Sequence, residues 1–281
     1  MTSPRIGGTL SRSLPCEGAL KVGSCAPVDP AGPVRALPSR LESHRSSVLA
    51  RVARAAAAHG RAPDALRIVA VTKSVEPALA AELAGLGSLD LGENRADGLE
   101  RKVAWFEAHA PELAPRVRWH FIGHLQRNKA RRVVRLASEI HSVDSPALFR
   151  ALTRLAVEED RRPGLWLQVK LADEEAKGGL DPDDLPALLD EVRQGPLPVL
   201  GLMTMAPLRE DPDQARRAAA RTFAAAATLA RSLPGDAFVD GRARLSMGMT
   251  DDFEEAVAAG SDVLRIGSAF FEHRAAVGGD A

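Results

Sequence analysis

The sequence predicts a single α/β barrel of eight parallel strands, a (β/α)8 TIM barrel, and three observations carry the prediction. Short apolar runs alternate with amphipathic stretches from residue 39 to about 275, and strict alternation of strand and helix implies a parallel sheet. Eight such repeats in a chain of 281 residues match the size at which a sheet of this kind closes on itself. Polar residues end most of the apolar runs, at the rim where a barrel of this class builds its site. An open doubly wound sheet shares the alternation, but no GxGxxG follows the first run.

The elements follow in order. Residues 1–38 are rich in Gly, Pro and Ser and lack apolar periodicity, so they read as a disordered extension; weak Arg and Ser enrichment resembles a transit peptide, and an unfolded extension is the plainer reading. Order begins where Ser39 and Glu42 have capping-box spacing and Leu41, Val48, Leu49 and Val52 recur on one helical face. Strands are expected at 67–72, 88–92, 118–123, 139–144, 165–171, 199–205, 243–248 and 262–267. Helices are expected between them at 76–86, 96–110, 129–137, 146–159, 186–192, 212–232 and 252–259. The barrel then spans 39–275, and 276–281 is a tail.

Composition narrows the function classes. Lysine plus arginine and aspartate plus glutamate both total 37, so nothing in the charge balance recruits nucleic acid or an anionic membrane. No run approaches the ~20 apolar residues of a membrane span and no secretory signal opens the chain, so a cytoplasmic protein is expected. The two cysteines, Cys16 and Cys25, lie in the extension, which excludes a disulfide framework or a cysteine metal cluster. Only six residues are lysine, so each is informative.

One of them, Lys73, ends the first strong apolar run, IVAVTK. An amine attacks a carbonyl only when neutral, and a partly buried position at a strand end favours the neutral form. A surface amine fits the same position. At the far end of the chain, LSMGMTDDFEEAVAAGSDVLRIGSAFF places Ser246, Gly248, Gly267 and Ser268 in the loops after strands seven and eight, the usual phosphate site of such a barrel. No GxxxxGK[ST] loop is present, so this is not a nucleoside triphosphate site. A phosphate cradle and a lysine at one barrel mouth point to pyridoxal 5'-phosphate. Asp251 and Asp252 open the next helix and would repel a phosphate, which favours the Ser246 and Gly248 backbone over that helix end.

Other strand ends supply supporting candidates. Asn94 hydrogen-bonds the cofactor or caps its loop, and Glu93 stands behind it. His120 lies within a strand and reads as a satisfied core histidine, whereas His124, past the strand end, can reach the cofactor; neither has an evident metal partner. Met203, Met205, Met247 and Met249 sit where thioethers can pack a planar ring or simply fill the core. DEEAKGG, 173–179, lines the rim.

The series IVAVTK, LGEN, WHFIGHLQRNK, DEEAKGG, GLMTMAP, LSMGMTDDFEEA and VLRIGSAFF, in this order between about 40 and 272, resembles the pyridoxal phosphate homeostasis proteins, the YggS/PROSC family. That family is a single-domain relative of the alanine racemase barrel, so the resemblance implies a barrel of the alanine racemase N-terminal type. It implies that Lys73 forms the internal aldimine and that Ser246, Gly248, Gly267 and Ser268 hold the phosphate by hydroxyl and backbone N–H groups. Thr250 stands where the family often has serine, a change that preserves an N-cap. The spacing Arg265-x-Gly267 matches the racemase relatives, so the resemblance implies that Arg265 faces the pyridine nitrogen rather than pairing with a surface carboxylate; a guanidinium of pKa above ~12 cannot protonate that nitrogen, so the ring is a poorer electron sink.

A carrier that stores, protects or delivers the cofactor, with apo-enzymes as partners, is therefore expected. The alternative is an amino-acid racemase of weak activity; alanine racemases take their second base, a tyrosine, from another domain, and this sequence contains none. A phosphate-binding barrel without the covalent link is a third reading. Loss of the racemase's second domain favours a monomer.

Overall fold

A computed structural model describes residues 39–171 and 178–271. The N-terminal extension, the C-terminal tail and Asp173 to Lys177 of the DEEAKGG segment lie outside them. Eight parallel strands pair in chain order and β1 closes onto β8: β1 (Arg67–Val71), β2 (Asp90–Glu93), β3 (Arg118–Phe121), β4 (Glu139–Val143), β5 (Gly164–Gln168), β6 (Val199–Met203), β7 (Arg244–Ser246) and β8 (Val263–Ile266). Every expected strand is present, most of them shorter at the C-terminal end because the chain leaves the ladder to form the rim loops.

Helix α1 (Arg40–Ala58) starts as its capping spacing requires, with the Glu42 N–H donating to Ser39 Oγ at 3.1 Å. Its buried stripe is Leu41, Val48, Val52 and Ala56; Leu49, expected on that face, is exposed because one residue rotates it ~100° away. The outer ring continues with α2 (Pro77–Gly85), α3 (Ala96–His109), α4 (Ala130–Leu136), α5 (Pro146–Glu158), α6 (Leu185–Gln194), α7 (Pro212–Ser232) and α8 (Phe253–Ala258). A short α9 (Ser268–Phe271), not expected from the sequence, follows β8 and packs with α8 against α1. Among the described residues no helix is long and apolar enough to cross a membrane.

The main core lies between strands and helices, where Leu83, Leu91, Leu99, Phe106, Ile140, Leu148, Phe223 and Phe253 are nearly inaccessible. A second, smaller cluster unites Val69, Trp166, Met203 and Val263 from β1, β5, β6 and β8. Residues from these opposed strands can touch only inside the closed sheet. The rest of that interior is polar, and it supports the rim above it.

Candidate functional site

Lys73 follows β1 by one residue past Thr72, and its side chain is exposed at the rim without a hydrogen bond among the described residues. The strand end beneath it is fixed by a buried cation. Lys102, 1% exposed on α3, donates to the Thr72 carbonyl at 2.8 Å and to Glu93 Oε1 at 2.6 Å, and the Thr72 hydroxyl donates to the same carboxylate oxygen at 2.6 Å. A buried ammonium survives only when paired and hydrogen-bonded, and here both conditions hold. Glu93 thus stands behind the rim, while the role of Lys102 was not legible in its helical surroundings.

The cradle comes from two neighbouring loops. Ala70 of β1 is in register with Ile266 of β8, so Gly267 lies beside the chain that carries Lys73. A Cβ on Gly267 would sit 3.3 Å from Val71 Cβ. Gly248 has φ +95°, and a Cβ there would meet Ala256 Cβ at 2.5 Å and Phe253 Cα at 3.1 Å. Only glycine combines that backbone with that space. The Gly248 N–H and the Ser268 hydroxyl make no hydrogen bond among the described residues, whereas the Gly267 N–H donates to Thr250 Oγ1 at 3.3 Å. The open Gly248 N–H and Ser268 hydroxyl, on neighbouring loops, are donors of the kind that fits a phosphate group. Gly248→Ala is expected to weaken phosphate-dependent binding of pyridoxal phosphate at least tenfold, about 1.4 kcal/mol, in a titration followed by tryptophan fluorescence.

Two residues depart from the roles expected of them here. Ser246, the last residue of β7, is fully buried, and its hydroxyl accepts from Arg265 Nη1 at 2.8 Å and bonds His141 Nδ1 at 2.9 Å. Its side chain points into the barrel because an inward position on a short strand places it below the loop. Thr250 does not cap α8; Asp252 occupies that position and Asp252 Oδ1 instead accepts the Met249 N–H at 2.6 Å.

Arg265, on β8, is 4% exposed and donates from Nη1 to the Ser246 carbonyl at 2.7 Å and from Nη2 to the Thr204 carbonyl at 3.0 Å. Burial pushes its pKa down to about 10 against the opposing pull of Asp252, so it stays charged near neutrality. From it a hydrogen-bonded column descends through Ser246, His141 and His120 to Asp90, with His141 Nε2 to His120 Nδ1 at 3.0 Å and His120 Nε2 to Asp90 Oδ1 at 2.8 Å. Burial, with the nearby positive charges, holds His141 well below its ordinary pKa. Desolvation works to raise Asp90, but hydrogen bonds from His120 and Arg118 hold it below the usual carboxylate range. The Asp90 carboxylate can only accept, so the proton between it and His120 belongs to His120 Nε2.

His120 is therefore a satisfied core histidine. His120, His141 and Glu139 also place three ligand-type atoms together, with Glu139 Oε2 at 3.6 Å from each ring nitrogen. Glu139 is already held by both Arg67 Nη atoms and by Trp166 Nε1. Arg67 and Arg265 both act on this cluster, so a dication would add charge to a cationic interior. We assign no metal to it.

At the ends of β2 to β4 the rim is closed by Asn94, His124 and Asp144. Asn94 is half-buried, and a Cβ at Gly123 would lie 2.0 Å from its carbonyl, so the loop carrying His124 is pressed against it. His124 Nδ1 lies 3.0 Å from Asp144 Oδ2. Met205, half-buried after β6, packs on the interior cluster of Trp166 and Met203, as core filling requires. The structure thus gathers Lys73, Asn94, His124, Met205, Gly248, Gly267 and Ser268 at one end of the barrel and sets Ser246 and Arg265 just beneath.

Comparison with known proteins bears on the family and the fold. The family model of the alanine racemase N-terminal domain matches residues 48–275. The pyridoxal phosphate homeostasis protein of Deinococcus radiodurans is 40% identical over 226 residues, 80% of this chain and 98% of that protein. That of Escherichia coli K12 is 34% identical over 233 residues, 80% of this chain and 92% of that protein. PipY of Synechococcus elongatus, solved with PLP bound, is 33% identical and superposes with a TM-score of 0.68 over 83% of this chain and all of that one. Alanine racemase of E. faecalis, at 12% identity and TM-score 0.58 over 83% of this chain and 58% of that one, shares the fold alone. The chain belongs to the pyridoxal phosphate homeostasis protein family, built on the alanine racemase N-terminal barrel.

Proposed function

We propose that this chain binds pyridoxal 5'-phosphate and serves cofactor homeostasis in the cytoplasm, holding the cofactor on Lys73 for storage, protection or delivery to apo-enzymes, and acting as a monomer. The observation that carries the reading is the placement of Lys73 after β1, Gly267 after β8 and Gly248 after β7, three strands that lie side by side in the barrel, at its C-terminal rim. The bound cofactor supplies an aldehyde that condenses reversibly with an amine. Lys73 supplies that amine at an exposed, uncommitted position, and the Gly248 N–H, the Gly267 loop and the Ser268 hydroxyl hold the phosphate. Ser246 contributes backbone to the turn and, by its side chain, steadies Arg265.

Arg265 faces the pyridine nitrogen in this reading. A group charged up to about pH 10 donates a hydrogen bond without surrendering its proton, so the ring stays unprotonated and withdraws electrons poorly. The likeness to alanine racemase is one of fold.

The purified protein incubated with pyridoxal phosphate is expected to show a visible absorbance band that borohydride abolishes. Peptide mass mapping then places the fixed adduct on the peptide containing Lys73. An adduct elsewhere, or no band, overturns the reading.

A further inference from the structure

We propose that His124, oriented by Asp144, is a general base that converts an incoming ammonium into a free amine at the barrel mouth, and so sets the rate at which the cofactor leaves Lys73 for a primary amine. This rests on the cofactor reading above and gives the rim a second residue with chemistry of its own.

The dyad is built from below. Asp144 follows β4 with its side chain only 13% exposed, and its second oxygen, Oδ1, accepts the Ser145 hydroxyl at 3.2 Å. Ser145 in turn is the N-cap of α5, its oxygen accepting the Leu148 N–H at 3.3 Å. A carboxylate pinned in this way can only accept, so at 3.0 Å it puts the imidazole proton on His124 Nδ1 and leaves the lone pair on Nε2. The His124 side chain is 72% exposed, and Nε2 has no partner among the described residues. The close approach of Gly123 to the Asn94 carbonyl fixes the loop that presents it.

No other described histidine can take the part. His120 and His141 are committed at both nitrogens inside the barrel. His44 and His109 bond the carbonyls of Phe270 and Trp105 on the helical ring, and His59 ends α1 at the opposite side of β1. The ends of β1 and β3 stand two strand spacings apart, about 10 Å, a gap that a lysine side chain and an imidazole enter from opposite sides.

The chemistry requires a base at this place. A primary amine is an ammonium at neutral pH and has no lone pair to offer. His124 Nε2 takes its proton, the freed nitrogen bonds the carbon held by Lys73, and the bond from that carbon to the Lys73 nitrogen breaks. The incoming nitrogen hands its two remaining protons to the Lys73 nitrogen and His124 returns the third, so Lys73 departs as an ammonium and the carbon ends doubly bonded to the incoming nitrogen. One amine replaces another, and nothing is oxidised or reduced.

The test uses the full chain loaded with pyridoxal phosphate and follows the visible band as it is displaced by methylamine or by hydroxylamine, which is already neutral at this pH. His124→Gln is expected to slow displacement by methylamine about a hundredfold, within the usual range for a general base, and to leave hydroxylamine within about twofold. Added imidazole is expected to restore part of the methylamine rate in His124→Ala. If both nucleophiles slow together, or neither slows, His124 is no base and the inference falls while the cofactor reading stands. A wild-type protein that never acquires the band overturns both.

Discussion

Replacing Lys73 with alanine is expected to abolish the borohydride-fixed adduct altogether while leaving a protein that still takes up pyridoxal phosphate reversibly. The phosphate cradle and Arg265 remain, so the retained spectrum resembles that of the free aldehyde. Affinity is expected to fall at least tenfold, about 1.4 kcal/mol, measured by equilibrium dialysis. Because the lysine is exposed and makes no hydrogen bond among the described residues, folding stability should stay within about 0.5 kcal/mol of wild type. A large drop in melting temperature would show that Lys73 serves the fold instead.

Lys102→Met is expected to have the largest effect on stability. It leaves the Glu93 carboxylate buried without its cation and removes a donor from the Thr72 carbonyl, at a cost of about 3–5 kcal/mol in urea unfolding. The double variant Lys102→Met with Glu93→Leu should recover part of that loss, since an apolar pair of similar volume replaces the ion pair. Recovery in the double variant without recovery of adduct formation at Lys73 would mean that the pair positions the strand end as well as stabilising it. A cost below about 1 kcal/mol for the single change would sink the assignment.

Much of this architecture was legible because the signals are local. Alternating apolar runs gave all eight strands, and Pro77, Pro146 and Pro212 mark helix starts by chemistry that needs no tertiary context. Gly248 and Gly267 were legible as a cradle from loop position alone. What escaped notice depends on direction and distance. Ser246 and Ser268 look equivalent in sequence, yet one ends a strand with its hydroxyl turned inward and the other begins a short helix. Lys102 lies among the charges of an amphipathic helix, and nothing local says that it reaches Thr72. The pairing of His120 with His141 depends on the side-by-side placement of β3 and β4, and no single-strand pattern contains it.

The column from Arg265 through Ser246, His141 and His120 to Asp90 also constrains how such a barrel can diverge. Arg265 can only donate and Asp90 only accept, and Ser246, His141 and His120 between them are bonded on both sides, so a change at one site strands a proton or a lone pair at the others. Substitutions along it are expected to be strongly non-additive, unlike those at the helical surface. A lineage can lose the column only by replacing several of its residues together, passing through intermediates that carry an unsatisfied polar group at the centre of the fold. The residues inside this barrel are therefore expected to change together, by the same non-additivity, where a rim residue can change alone.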